Sequence, residues 1–261
     1  MNIDLTGKRA LVCGSTQGIG RASASILAQM GASITLIARN EDELRKTAAS
    51  LKPNSVPHNF IVADFSKPHD LYSKVVEHLK INGPVHILVN NTGGPPSGPI
   101  IKATTDEFLS AFTNHLLCNQ LLAQAVLEGM KKNGYGRIIN IISTSVKIPL
   151  KNLGVSNTIR AAVGNWAKTW ANEVGQFNIT VNNVLPGATG TGRLKNIIET
   201  KASKSGESIS NVETEMIAEI PMQRFATPEE VANAVAFLAS PAASYITGIN
   251  LPVDGGRTGN L

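Results

Sequence analysis

Apolar residues recur along the chain in short runs: RALVC at 9–13, SITLIA at 33–38, NFIVA at 59–63, VHILVN at 85–90, RIINIIS at 137–143, ITVNNVL at 179–185 and INLPV at 249–253. Runs this short, rich in Val, Ile and Leu and apolar at neighbouring positions, predict strands buried on both faces. Between them, GRASASILAQMG, NEDELRKTAASL, DLYSKVVEHLK and the long DEFLSAFTNHLLCNQLLAQAVLEGMKKNG carry apolar residues three and four apart, and several end at Gly or Asn. That is the pattern of amphipathic helices with their usual stop signals. Seven strands alternating with helices predict an α/β fold, a doubly wound parallel sheet covered by helices on both faces. No Pro/Gly/Ser-rich linker divides the chain, so residues 1–261 are expected to form a single domain. One polar segment rich in Ser, Lys and Glu, 189–219, breaks the rhythm after the sixth strand. In a doubly wound sheet such an insert lies over the ligand crevice, which makes it a candidate substrate lid.

Composition narrows the class. A chain of 261 residues, 42% hydrophobic and 16% charged, can bury a substantial core, and no repeat or low-complexity tract appears. The net charge of +5 comes without a run of five like charges or a basic stripe interleaved with aromatics, so a nucleic-acid partner is not expected. The beginning MNIDLTGKRALVCG lacks the features of a secretory leader, and no apolar run reaches the roughly 18 residues of a membrane span. A cytoplasmic protein without a membrane partner is the expectation. Cys13 and Cys118 fall inside apolar patterns and are expected to be reduced, small hydrophobes. The histidines show no metal-ligand spacing, and no metal is expected.

The first strand runs directly into CGSTQGIGRA. Gly14 permits a tight turn, Gly18 lets backbone approach a pyrophosphate, and Gly20 allows the following helix to pack close, with its N-terminal N–H groups aimed at phosphates. The glycines thus predict a dinucleotide site of the Rossmann type. At the end of the second strand, LIARNEDEL offers Arg39 and no acid until Glu41. An acid there would hold a ribose 2′-hydroxyl, whereas arginine accommodates a 2′-phosphate, so NADP(H) is the expected cofactor.

GSTQGIG, NNTGG after strand four, GRIINIIS, VLPGATGT after strand six and FATPEEVANAVAFLASPAASYITGINLPVDGG at the end resemble the short-chain dehydrogenase/reductase family over the whole chain. The tail is similar to its 3-oxoacyl-carrier-protein reductase branch. The resemblance implies phosphate contacts at Gly14, Ser15, Thr16, Gln17, Gly18, Ile19 and Gly20, and the 2′-phosphate at Arg39. It places adenine beside Asp64 and Phe65, the adenosine side along Asn90, and the nicotinamide against Pro186, Gly187 and Thr189 with Thr191 nearby. The family's NNAG reads NNTGG here, a small departure. GGPPSGP, which follows, is expected to form a stiff loop beside the active site. Assembly of the family implies a homotetramer or dimer, with the apolar C-terminal strand as an edge needing cover.

The catalytic positions depart further. In the family, a serine ending strand five orients the carbonyl, a tyrosine thirteen residues on donates the proton, and a lysine four beyond that binds the nicotinamide ribose; an asparagine in the preceding long helix completes a relay. Counting without gaps gives Ser143, Ser156, Arg160 and His115, with Asn114 taking the relay position if the register slips by one residue. Ser156 and Arg160, four apart, share a helical face. Arginine can bind ribose hydroxyls but cannot share its proton, and an alkyl hydroxyl is a far weaker acid than a phenol. His115, with an ordinary pKa near 6.5, is the natural proton donor among these residues, unless it is a buried histidine satisfied by its surroundings. Two functions follow as expectations. One is an NADP(H)-dependent oxidoreductase interconverting a carbonyl and a secondary alcohol, on a small substrate free or acyl-carrier-bound, with a modified proton-donor arrangement. The other is a catalytically impaired NADP(H)-binding protein acting as a sensor or oligomer partner.

Overall fold

The computed structural model describes residues 1–259. β1 (Arg9–Cys13), β2 (Ser33–Ala38), β3 (Asn59–Val62), β4 (Ile87–Asn90), β5 (Gly136–Ile141), β6 (Ile179–Pro186) and β7 (Asn250–Val253) form one parallel sheet in the order β3-β2-β1-β4-β5-β6-β7. Each expected strand is present within two residues at either end. The helices are α1 (Gly18–Gln29), α2 (Glu41–Ser50), α3 (Pro68–Asn82), α4 (Thr105–Phe112), α5 (Cys118–Asn133), α6 (Gly154–Val174), α7 (Gly192–Ser205), α8 (Ile209–Ala218) and α9 (Pro228–Ala239).

The strands read as continuous apolar runs because both faces are covered. In β1, Ala10 and Val12 join Ile34, Leu36, Val89 and Ile139 under α1 and α9, while Leu11 and Cys13 join Ile37, Leu88, Ile138 and Val181 under α3, α5 and α6. Successive side chains alternate between the two cores, as the pleat requires. Each fully buried Leu or Ile in these layers contributes roughly 1.5–3 kcal/mol of transfer free energy. Both cysteines are free and buried, and burial pushes their thiols up. No described helix is long and apolar enough to cross a membrane.

Two segments differ from what periodicity predicts. The long run through residues 105–133 is not one α-helix: Thr113–Leu117 forms a π-helical turn between α4 and α5. One widened turn adds a residue without disturbing the three-four spacing on either side, so hydropathy cannot register it. Such turns reorient side chains, and this one buries His115 to 3% exposure. The polar segment 189–219 is mostly helical, with α7 and α8 joined over a small core of Leu194, Ile198, Ala202 and Val212, to which Met216 and Phe225 add.

Candidate active site

Strand order reverses direction between β1 and β4, and the crevice outside the carboxyl ends of the strands at that point is where doubly wound sheets bind ligands. The glycine loop forms one wall. Gly14 has φ +57° and Gly18 φ +52°, values favouring glycine. A Cβ on Gly20 would lie 2.1 Å from the Gly14 carbonyl oxygen and 2.6 Å from Asn91 Nδ2. The missing side chains make room for the Asn91 amide, which donates to the carbonyls of Cys13 and Gly14 at 3.2 Å each. Asn91, the second asparagine of NNTGG, therefore locks this loop. The doublet after β4 was the signal for it, because a residue there faces the end of the neighbouring β1.

α1 begins without a protein partner for its N-terminal amides. Its N-cap Gln17 makes no side-chain cap, and its first turn holds no acid. It shares the missing cap with α3 and α6, whereas α2, α4, α7, α8 and α9 are each capped by an Asn, Ser or Thr side chain. An uncapped helix start with free N–H groups suits a phosphate. Ser15 is fully buried and donates its hydroxyl to Ile37 O at 3.3 Å, so its side chain serves the loop's attachment to β2. Thr16 is half-buried and Gln17 exposed in the rest of the turn, while Ile19, in the first turn of α1, packs against the core.

Arg39 follows β2, exposed, and makes no hydrogen bond or ion pair among the described residues. Its charge helps hold the Asp64 carboxyl below its ordinary range, although the Ser66 backbone N–H, donating at 2.9 Å, is the larger cause. Phe65 packs against the core under β1, and its carbonyl accepts from Cys118 Sγ. Asn90 is buried and begins an amide ladder across four strands. Asn90 donates to Asn140 at 2.8 Å, Asn140 to Asn183 at 2.9 Å and Asn183 to Asn250 at 2.8 Å, each pair being register partners. The ladder ends at the crevice with Asn90 Oδ1 buried and without a partner.

The opposite wall follows β6. Gly187 passes close to Asp254, its N–H bonding Val253 O at 2.9 Å. Buried Thr189 donates to Gly187 O at 3.1 Å. Thr191 caps α7 and approaches the glycine loop, its Cγ2 3.1 Å from where a Gly18 Cβ would stand. Two residues on, Arg193 spans the crevice and donates from Nη2 to Pro95 O at 2.6 Å in the Gly/Pro loop.

Between the walls lie the expected catalytic positions. Ser143 follows β5; its Oγ accepts from Ser145 N–H at 3.1 Å, leaving its own proton free to donate. Ser156 stands half-buried in the first turn of α6, one turn before Arg160. Arg160 is 9% exposed and donates from Nη1 to Ile141 O at 2.8 Å, which fixes it at the end of β5. Burial, then the nearby Arg193, lowers its pKa to about 10, still cationic at neutral pH. His115 Nδ1 lies 2.6 Å from Thr92 Oγ1. Burial first, then the charges of Arg160 and Arg193, push its pKa down to about 2. The histidine is therefore neutral at physiological pH, not the group titrating near 6.5 that its type alone implies. Asn114 lies beside it with Oδ1 buried and unpartnered.

Comparison with known proteins decides the family. The family model described as Enoyl-(Acyl carrier protein) reductase, one of the short-chain dehydrogenase/reductase models, matches residues 14–258. The chain is 34% identical to the 3-oxoacyl-[acyl-carrier-protein] reductase of Pseudomonas aeruginosa over 257 residues, covering 97% of this chain and 98% of that protein. The chain belongs to the short-chain dehydrogenase/reductase family. A second member, the L-xylulose reductase of Caenorhabditis elegans, is 35% identical over 264 residues, covering 99% of each. The crystal structure of L-sorbose reductase from Gluconobacter frateurii, complexed with NADPH and L-sorbose, superimposes with a TM-score of 0.93 at 32% identity, covering all of both chains.

Within this family fold, the departure at Thr92 gains a meaning its position alone did not supply. Thr92 and His115, 23 residues apart, are hydrogen-bonded to each other. The signal in the sequence was that Thr92 in NNTGG and His115 both stand where the family resemblance implies other residues.

Proposed function

We propose that the protein is an NADP(H)-dependent oxidoreductase that interconverts a carbonyl and a secondary alcohol with a rebuilt proton-donating set. The observation that carries the modified mechanism is the half-buried Thr92–His115 hydrogen bond near cationic Arg160. The cofactor reading rests on the uncapped start of α1, the glycine loop held by Asn91, and Arg39 standing where a 2′-phosphate would lie. Relatives with NADPH in their crystal structures, and reductases of carbonyl compounds among the similar chains, support it.

When bound, the reduced nicotinamide would supply the hydride and the oxidised nicotinamide would take it in the reverse direction. Arg160 holds the adjoining ribose hydroxyls and keeps its charge throughout. Ser143 donates its free hydroxyl proton to the substrate oxygen. His115 acts as a neutral imidazole: Thr92 O–H donates to Nδ1, which leaves the proton on Nε2 for donation toward the same oxygen. A neutral imidazole whose pKa has been lowered can polarise a carbonyl as an electrophile, without becoming a cation first. Ser156 passes a solvent proton to the oxygen in the space a phenol would fill. The α7–α8 pair closes the crevice above these groups as its lid. Copies of the chain associate as a homotetramer or dimer, covering apolar side chains such as Leu109, Phe112 and Tyr245, exposed at 58%, 45% and 103%.

The test is NADPH oxidation over a panel of ketones and oxo acids. We expect Ser143→Ala and His115→Ala each to lower kcat/KM by about 10²- to 10⁴-fold with NADPH binding retained. Full rate in either variant removes that residue from the mechanism. If the natural protein binds NADPH but reduces nothing, and Ser156→Tyr with Arg160→Lys creates activity, the protein is a cofactor-binding sensor or oligomer partner instead.

A further inference from the structure

Two guanidinium groups face the crevice, and among the described residues no carboxylate pairs with either. Arg160 is 9% exposed and Arg193 is partly buried, and each donates to a backbone carbonyl, Ile141 O and Pro95 O respectively. None of the eight ion pairs among the described residues includes them. A guanidinium has five N–H donors, so most of this capacity is unused by the protein. Two like charges close enough to influence each other and His115, without a counter-ion, are a costly arrangement in a partly buried site.

The cofactor does not resolve this. Under the oxidoreductase reading Arg160 meets neutral ribose hydroxyls, the pyrophosphate goes to the start of α1, and the 2′-phosphate to Arg39. Arg193 lies on the substrate side, across the Gly/Pro loop. A Cβ on Gly94 would sit 3.4 Å from Arg193 Nε and Nη2. Arg193 touches Gly94 and Pro95 at the rim of a cleft of about 360 Å³, which those two residues line together with Gly93, Asn114 and His115 among others. Its acids do not serve the arginines: Asp106 is exposed, and Glu107 accepts from the Thr104 N–H and hydroxyl in a capping box. Asn114 lines the same cleft, and its Oδ1 is buried without a hydrogen-bond partner among the described residues.

We propose that the substrate is a small oxo acid or its hydroxy-acid counterpart, whose carboxylate pairs with Arg193 and whose further hydroxyl or N–H group donates to Asn114. This rests on the oxidoreductase reading and names the substrate class of that site. In the reductive direction the hydride adds to the carbonyl carbon and a proton to its oxygen, while NADPH becomes NADP⁺ and the carboxylate is unchanged. A bidentate Arg–carboxylate pair supplies charge-assisted, directional hydrogen bonds that an ester or amide cannot match. This distinguishes the chain from relatives whose names specify neutral sugars.

The experiment compares short straight-chain oxo acids with their methyl esters as substrates, and the matching saturated carboxylates with their amides as ligands of the NADPH-loaded protein by calorimetry. For the natural protein, kcat/KM is expected to favour acid over ester by about 10²-fold or more, and carboxylates should bind where amides do not. Arg193→Met should bring acids down to the level of esters and abolish carboxylate binding, with the Kd for NADPH unchanged; Arg193→Lys should recover part of both and shows that the fold tolerates the site. Esters reduced as well as acids, amides bound as well as carboxylates, or an Arg193→Met defect confined to NADPH affinity would each overturn the proposal. If carboxylates bind as expected but no carbonyl compound is reduced, the oxidoreductase reading fails while the anion site stands.

Discussion

The glycine loop after β1 and the cluster beyond β4 and β5 lie at the same edge of the same sheet, yet different forces specify them. In the loop, backbone sterics dictate residue identity: a Cβ at Gly14 would meet Asn91 O at 2.6 Å, and one at Gly20 the Gly14 carbonyl at 2.1 Å. In the cluster, the backbone tolerates many side chains, and hydrogen bonding and charge decide: Thr92 on His115, Arg160 on Ile141 O, and Ser143 capping its own turn. A region fixed by sterics keeps its pattern, whereas a region fixed by side-chain partners can be rebuilt provided several positions change together. On the proposed reading, that is why a family-like glycine loop can stand beside a rebuilt catalytic set in the same crevice.

The sharpest break of this contrast is Gly20→Ala. If sterics specify the loop, the added methyl must displace Gly14 or Asn91, with a loss of about 2–3 kcal/mol in urea unfolding and at least about 10³-fold weaker NADPH binding. Fluorescence titration of the nicotinamide reads the second. A variant that binds NADPH normally would mean the loop is adaptable and the contrast is wrong.

Next comes the asparagine ladder, which crosses β4 to β7 beneath the second region. Replacing Asn140 by Ala leaves Asn90 Nδ2 and Asn183 Oδ1 unpaired in the sheet interior, and an expected loss of about 2–4 kcal/mol follows. Urea midpoints for Asn140→Ala and Asn250→Ala should separate clearly, since the terminal Asn250 leaves only one neighbour unpaired. Equal effects would show that the chain of amides does not act link by link.

Much of this architecture is legible from residues alone. The strands are plain because each apolar run is covered on both sides, and the glycines and Arg39 are plain because their chemistry is local. The ladder is not, since Asn90, Asn140, Asn183 and Asn250 become neighbours only once strand order and register are known. Nor is the π-helical turn that turns His115 inward, which leaves the spacing of apolar positions intact. Arg193 reads as one more surface cation among Ser, Lys and Glu until α7 carries it over the crevice.

A smaller effect concerns pH. An unfolded histidine takes up its proton near pH 6.5, whereas His115 in the folded protein resists it down to about 2. The unfolded state therefore binds more protons across this window, and stability falls as pH drops below about 6.5, by up to about 1.4 kcal/mol per pH unit for this group. His86, lowered to about 4, and His78 act in the same direction. His115→Asn should flatten part of the slope between pH 6.5 and 5 in urea unfolding. An unchanged slope would show that His115 takes up its proton at the same pH folded and unfolded, and with that the neutral-electrophile role would go.

The finest test addresses Thr92. If it only fills space, Thr92→Val, nearly isosteric, should leave turnover unchanged. If it fixes the His115 tautomer, Thr92→Val should lower kcat about tenfold with KM little altered, and Thr92→Ser should restore it. The pH profile separates positioning from packing: freed of its hydroxyl partner, the imidazole redistributes its proton between Nδ1 and Nε2, so kcat falls at every pH from 5 to 8 without a new inflection. Thr92→Ala and His115→Asn, made singly and together and chosen as the residues the family resemblance implies, form a double-mutant cycle. A coupling of about 0.5–3 kcal/mol between the two positions is expected for residues sharing one hydrogen bond. Strict additivity would mean that Thr92 and His115 changed independently, and the cluster would then be a collection of separate substitutions with no shared proton path.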